Sequence, residues 1–463
     1  MLDVSEITKY QVSLLNRLKI SLFERLDPYL GKINKIATIL SFENMIVYFY
    51  FLLFIFGRSF TGVELFKFRL GELMIAGGMV MFFYHLFIRP DRINSLLGKK
   101  TVWIFRLVLI HFFIMNLFEG NLDNFLNTQV YRSSSYIWTL GFIFILPFLS
   151  KTQIFDRNIF LSLMFLVLPL SYIFTCVYFP GFIENFFINF SDKFRYLKGS
   201  DLFLIYSIYC IFFFERIKNN NVMYLFTFLM SGLLLPLIIF SSRGASIGTF
   251  IILIYTIYTN RKAFLRNKIL FIIASLLFVS TLTLSSIYLD WTKIDFEEIN
   301  TEMALESLEM TLVSKRYPEY DKPFLFLENS RLNSGDGNLN WRLQIWQDVF
   351  YDLTEKQSIF FGYGYDNTIP AMERIDRAGL DGTNIHVHNY FVNILARGGL
   401  YHLFLFILFY IFLLKRIINL KLSNNSLVFI LAVLFVSFFD SSMESVRFPF
   451  LFYSILSSKI KEK

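Results

Sequence analysis

Cysteine is almost absent from this chain. Cys176 and Cys210 both fall in apolar runs, so neither a disulfide framework nor a thiolate metal site is available. Histidine is nearly as scarce, with five in 463 residues. No Asp-x-Asp pair occurs, and with it goes the usual way of holding a metal on a sugar-nucleotide donor. Asp295-Phe296-Glu297 is the nearest approach and reads as a solvated loop start. No internal repeat is visible, which removes the half-to-half symmetry of many secondary transporters.

Apolar and aromatic residues fill the space instead. Hydrophobic residues make up 55% of the chain, with 59 Phe and 25 Tyr, far from a soluble globular mixture. Runs such as Ile159–Phe179, Val222–Phe240 and Ile269–Leu289 are long enough to cross a hydrocarbon core. They must do so as helices, because lipid cannot satisfy open backbone groups. The pattern predicts an all-α polytopic membrane protein of about 12 transmembrane helices: 37–56, 70–88, 101–118, 135–150, 159–179, 201–214, 222–240, 245–259, 269–289, 398–414, 426–440 and 447–458. The last is short and begins near Pro449, so eleven spans remain possible.

Lys and Arg set the orientation. Arg89, Arg92, Lys99 and Lys100, then Arg261, Lys262, Arg266 and Lys268, cluster on the side shared by both termini, which is expected to be cytoplasmic. The domains then divide as 1–36, a cytoplasmic amphipathic segment rather than a signal peptide; 37–289, nine spans; 290–388, one large outside loop; 389–458, three spans; and 459–463, a cytoplasmic tail. The large loop carries 18 acidic and 9 basic residues, a net −9 in a chain of +8. The basic excess therefore lies on the membrane portion, where anionic lipid attracts it. Membrane lipid is the expected partner, and nucleic acid is not.

Candidate residues gather on the outside. Arg243, in Ser241-Ser242-Arg243-Gly244, is all but alone between two apolar helices. A tight turn needs Gly and Ser but not Arg, and an ionisable group this close to the membrane core implies an anionic partner. Arg195, in Phe194-Arg195-Tyr196, reads as a snorkelling anchor when taken alone. Arg342 opens an expected helix with Asn340 as N-cap, and Arg342, Trp346, Val349 and Leu353 share one face. Gly362-Tyr363-Gly364 marks a tight bend or a close backbone approach. His386-Val387-His388-Asn389 stands just outside the next span. Two histidines are too few for a metal, so a proton-accepting role fits them better. His85, His111 and His402 sit in apolar stretches and read as satisfied core residues. Glu444 and Arg447 fall in or beside the last outside loop.

Ser-Arg-Gly between two spans, Arg342-x3-Trp346, Gly-x-Gly, and His388-Asn389 ahead of Gly398-Gly399 form an ordered set. In order and placement it resembles the O-antigen ligase/polymerase family, most strongly over residues 222–440. The resemblance implies a helical fold with a large loop capping a cavity, similar to the lipid-dependent (GT-C-like) glycosyltransferases. It implies transfer of an undecaprenyl-diphosphate-linked glycan on the outer face of the bacterial cytoplasmic membrane, without cofactor or metal. Arginines matching Arg243, Arg342 and Arg195 would hold the diphosphate, and His388 would assist the acceptor. Trp346, His386, Asn389 and Gly364 would line the substrate.

The acceptor separates several readings. A polymerase joins lipid-linked repeat units, and this reading is preferred because a composition heavy in Phe, Ile, Asn and Lys suits variable surface-glycan clusters. A ligase would use lipid A–core, and a third subgroup glycosylates protein. A chain-length regulator is a conceivable partner of the first. The Trp-Trp-Asp sequence of another oligosaccharyltransferase class is absent. From a different class, a glycan flippase explains twelve spans but not a large acidic outside loop.

Overall fold

The computed structural model describes residues 42–118, 128–145, 158–191, 197–213, 221–289, 323–374, 377, 386–420 and 424–459. The expected segment 1–36, much of the large loop and residues 460–463 lie outside them. The chain enters through α1 (Phe42–Thr61), then a small hairpin of β1 (Glu64–Leu65) and β2 (Phe68–Arg69). There follow α2 (Leu70–Phe83), α3 (Pro90–Leu97), α4 (Lys99–Phe118), α5 (Thr128–Ser133), α6 (Ser135–Leu140), α7 (Asn158–Tyr172), α8 (Gly181–Phe190) and α9 (Gly199–Ile208). Then come α10 (Asn221–Ser241), α11 (Arg243–Arg266) and α12 (Lys268–Tyr288). The large loop contributes a hairpin of β3 (Phe326–Glu328) and β4 (Arg331–Asn333), then α13 (Gly337–Glu355). The chain ends with α14 (Tyr390–Asn419), α15 (Asn424–Phe439) and α16 (Arg447–Lys459).

This is an all-α membrane protein, with strands confined to two short hairpins among the described residues. Six helices there are long and apolar enough to cross a membrane, or seven if the broken pair Ser162–Val177 and Gly181–Phe190, bent by 84°, counts as one. Four other expected spans are apolar helices of 10–17 residues, shorter than the roughly 20 that a straight crossing takes. α11 extends over 24 residues, beyond the expected 245–259, and carries basic residues at both ends. α12 packs against α10 but leaves Ile269, Ile272, Ile273, Leu276, Leu284 and Ile287 uncovered. Such a helical stripe of bare apolar side chains suits contact with lipid.

The loop folds around its own small core. Trp341, Ile345, Val349 and Leu353 recur every four residues along α13 and pack with Ile369, Met372 and Val387. The buried seam is therefore offset from the expected one. Val349 and Leu353 belong to it, whereas Arg342 and Trp346 flank it. The expected N-cap is also corrected: α13 begins at Gly337, capped by Asp336, whose Oδ1 accepts from Leu339 N at 2.8 Å. Asn340 lies within the first turns, and its Oδ1 accepts from Ser334 N at 3.1 Å.

The helix expected from 398 begins instead at Tyr390, with Asn389 as N-cap accepting from Phe391 N at 2.9 Å and Val392 N at 3.0 Å. It breaks at Gly399, where φ is 68°. The Gly-x-Gly loop docks into that break. Tyr363 N donates to Ala396 O at 2.7 Å, Gly364 N to Arg397 O at 3.0 Å, and Leu400 N to Ile359 O at 2.8 Å. A Cβ on Gly399 would lie 2.2 Å from Phe360 O, and one on Gly362 2.6 Å from Arg397 O. Both glycines are demanded by backbone meeting backbone at positive φ.

Candidate functional site

The turn that carries Arg243 is held from three sides. Ser242 is extended, with φ −161°, and caps α11 by accepting from Ala245 N at 3.3 Å. Gly199, opening α9, lets the turn come so near that a Cβ there would meet Ser242 Cβ at 2.7 Å. From the loop side, Arg243 Nη1 donates to Asp336 Oδ2. The Arg243 side chain stays 70% exposed while Asp336 is 15% exposed. One carboxylate thus caps the loop helix with one oxygen and takes the turn's guanidinium with the other.

Arg342 reaches the same corner from α13. Its Nη1 donates to the main-chain carbonyl of Phe439, the last residue of α15. Helix C-termini leave such carbonyls open, with partial negative charge. Nε of Arg342 is buried without a hydrogen-bond partner. Burial pulls the Arg342 pKa down from its ordinary value, and the carboxylates of Asp440 and Asp336 oppose the shift. The group stays cationic at neutral pH, since an arginine begins so far above it.

Asp440, next in the chain, is the anionic centre of the corner. Burial alone would raise its pKa, but Lys198, the Ser442 hydroxyl at 2.8 Å and the Arg342 guanidinium together hold it below the ordinary aspartate value. Lys198 is lowered by its own burial, despite the opposing pull of Asp440. Behind it, Arg447 grips Asp201 with two bonds of 2.8 and 2.5 Å, in a pair whose side chains are each 7% exposed.

The histidine segment runs along the facing side of α13. Trp346 Nε1 donates to Val387 O at 2.8 Å, and the Trp341 ring lies 5.3 Å from that of His388. His388 has φ 53°, a region that histidine tolerates better than bulky or branched residues. His386 Nδ1 lies 3.1 Å from Glu444 Oε2. Asn389 is fully buried and spends its carbonyl oxygen on the cap of α14. Gly364 commits its amide to Arg397 O, while its carbonyl accepts from Arg397 Nη1 at 3.2 Å.

Arg243, Arg342, Trp346, His386, His388 and Asn389 are thus linked through α13 and the ends of α14 and α15. Arg195 lies outside the described residues. Asp336, Asp440 and Lys198 joined the cluster without a motif to mark them. The other expected core histidines are only partly satisfied. His402 Nδ1 meets Tyr365 at 3.0 Å and Tyr136 at 3.3 Å, but its Nε2 and both ring nitrogens of His111 are buried without partners. Among the described residues no group of three or more His, Cys, Asp or Glu could hold a metal ion.

Residues 225–407 match the sequence-family model described as O-antigen ligase. The match supports the O-antigen ligase/polymerase family over these residues. The matched segment begins within α10 and ends within α14, so it spans the Arg243 turn, α13, the Gly-x-Gly loop and the histidine segment. No curated protein matches the chain.

Proposed function

We propose that this chain polymerises undecaprenyl-diphosphate-linked oligosaccharide units on the outer face of the cytoplasmic membrane. The observation that carries the reading is the cationic corner, where Arg243 and Arg342 come from different elements and both lie close to Asp336. Guanidinium groups match phosphate oxygens bidentately, which suits them to a diphosphate leaving group. Arg243 pairs with the Asp336 carboxylate, which shows the turn's guanidinium taking an anionic partner.

In the proposed step, the acceptor hydroxyl oxygen bonds to the anomeric carbon of the donor glycan. The bond from that carbon to the diphosphate oxygen breaks, and its electron pair leaves with the diphosphate. Arg243 and Arg342 stabilise the charge that develops, and the partial burial of Arg342 makes its preorganised charge worth more than it is in water. The hydroxyl proton passes to a histidine of the 386–389 segment, where the family resemblance points to His388. Arg195 is proposed as a third diphosphate contact, and Trp346, Asn389 and Gly364 as groups that shape the substrate side.

The description of the matching family favours a second reading, transfer of finished polymer to lipid A–core. Surface glycan and lipid-linked intermediates from a deletion strain separate the two. A single repeat unit on the core is the result expected of a lost polymerase. Long chains stranded on the lipid carrier above bare core would establish a ligase. Unchanged glycan would contradict both.

A further inference from the structure

The bare apolar stripe of α14 is shorter than a membrane is thick. Leu400, Phe404, Ile407 and Ile411 are exposed at helical spacing along it. The stripe ends at Lys415 and Arg416, and Arg416 Nε donates to Leu96 O at 3.0 Å, close in the chain to Lys99 and Lys100. Such a basic cluster marks one boundary of the hydrocarbon. At the other end the helix breaks at Gly399. From Leu400 to Lys415 the rise is about 22 Å, against roughly 30 Å for a hydrocarbon core, and tilt shortens it further.

α4 shows that the apolar level continues past the break. It runs beside α14, with Lys100 over the Phe412 ring and the His111 ring 5.1 Å from that of Tyr401. Above His111 it goes on through Phe113, Ile114 and Leu117, all exposed, and carries no charge before its end at Phe118.

The large loop supplies what α14 lacks at this level. In Ser358-Ile359-Phe360-Phe361, Ile359 packs on the loop core, while Phe360 and Phe361 are 62% and 60% exposed. The turn lies on the break itself, where Leu400 N donates to Ile359 O at 2.8 Å and Tyr401 N to Phe360 O at 3.3 Å. Two of the turn's own amides close inward, Phe361 N at 3.2 Å and Gly362 N at 2.7 Å from Ser358 O. Irregular backbone is tolerated at membrane depth where its polar groups find partners in the protein. Two adjacent bare phenylalanines continuing a lipid-facing stripe mark a contact surface.

We propose that Phe360 and Phe361 are the foot of the large loop in the bilayer, seated among the acyl chains of the leaflet nearest that loop. The loop is thereby held at a fixed depth against the break of α14. This goes beyond the glycosyl-transfer reading and stands whichever acceptor is used.

The test is a nitroxide at position 361 of the full chain in phospholipid vesicles, attached through Phe361→Cys after Cys176→Ala and Cys210→Ala. Phe404→Cys gives the lipid-facing reference, and Ser330→Cys, in the exposed turn of the β3–β4 hairpin, the water-facing one. Collisions with chromium oxalate are expected to fall at least about 10-fold from position 330 to position 361, because hydrocarbon excludes an anion. Collisions with oxygen, which concentrates in hydrocarbon, should match those at 404. Chromium oxalate collisions at 361 equal to those at 330 would put the turn in water and overturn the proposal. Few collisions with either reagent, or dipolar broadening between labels, would show a cover of protein or a second copy and overturn it equally. Phe360→Cys carries the same measurement if the 361 variant fails to fold, which a monodisperse elution profile checks.

Discussion

Arg342 donates to the main-chain carbonyl of Phe439, so a side chain of the large loop closes the open end of the apolar helix α15. The contact uses only part of the guanidinium, because Nε has no partner. A half-buried cation with an unsatisfied Nε, flanked by Asp336 and Asp440, is poised for a stronger anion than a carbonyl. Arg342→Lys keeps the charge but loses the planar fork. It is expected to lower transfer by at least about 10-fold, on the scale of one charge-assisted hydrogen bond. Assay of purified protein with a lipid-linked donor measures this, and unchanged transfer would count against the bidentate role.

Arg243 and Asp336 allow charge to be separated from capping. Asp336→Asn keeps an N-cap but removes the carboxylate from Arg243. With Arg243 at 70% exposure, loss of the pair should cost under about 1 kcal/mol of stability. Asp336→Ala loses the cap as well, for about a further 1 kcal/mol. Thermal unfolding in detergent distinguishes them. A loss in the Asn variant as large as that in the Ala variant would show that the ion pair, not the cap, holds α13.

The docking of the Gly-x-Gly loop into the break of α14 predicts strict size limits. Gly399→Ala places a Cβ 2.2 Å from Phe360 O at a φ of 68°. The strain of such a backbone is about 1–3 kcal/mol before the clash is counted. The variant should therefore unfold at lower temperature and show faster proteolysis around 359–364. A melting curve unchanged from that of the unaltered protein would mean that the loop can leave the break freely.

Some of this was legible in the sequence. The helical membrane class is legible in composition, and the sequence singles out Arg243, Arg342, His386 and His388, which the structure sets around α13 and the ends of α14 and α15. Full-length spans could not be counted, because several helices are shorter or more bent than their apolar runs suggest, as at α8 and α9. Asp336 could not be singled out among 18 acidic residues in one loop, since its importance comes from capping α13 beside the Arg243 turn. Nor could the close approaches of Gly362 to Arg397 and of Gly399 to Phe360 be read, because they join backbones distant in sequence. Glu444 was noticed, but only the turn after α15 shows that it faces His386.

Asp440 sets the acid limit of the corner. Its pKa is held below the ordinary aspartate value, although burial opposes this, because Lys198, Ser442 and Arg342 favour the charged form. A group lowered by folding contributes stability above its unfolded value and loses it as the pH falls through the folded one. The Asp440 contribution should therefore be complete from neutrality down to about pH 5 and decline only below about pH 4. Asp440→Asn should flatten that decline. Melting temperatures between pH 3 and pH 8 measure it, and a decline centred near neutrality would contradict the charged state assigned to Asp440.

Arg243→Ala and Arg342→Ala test the central claim most directly when both are reconstituted and supplied with a lipid-linked oligosaccharide and an acceptor. Donor consumption and glycan product are followed together with membrane insertion. Both variants are expected to insert normally and to form no product. Normal product from both would contradict the account, because no diphosphate would then depend on the corner that these two arginines build.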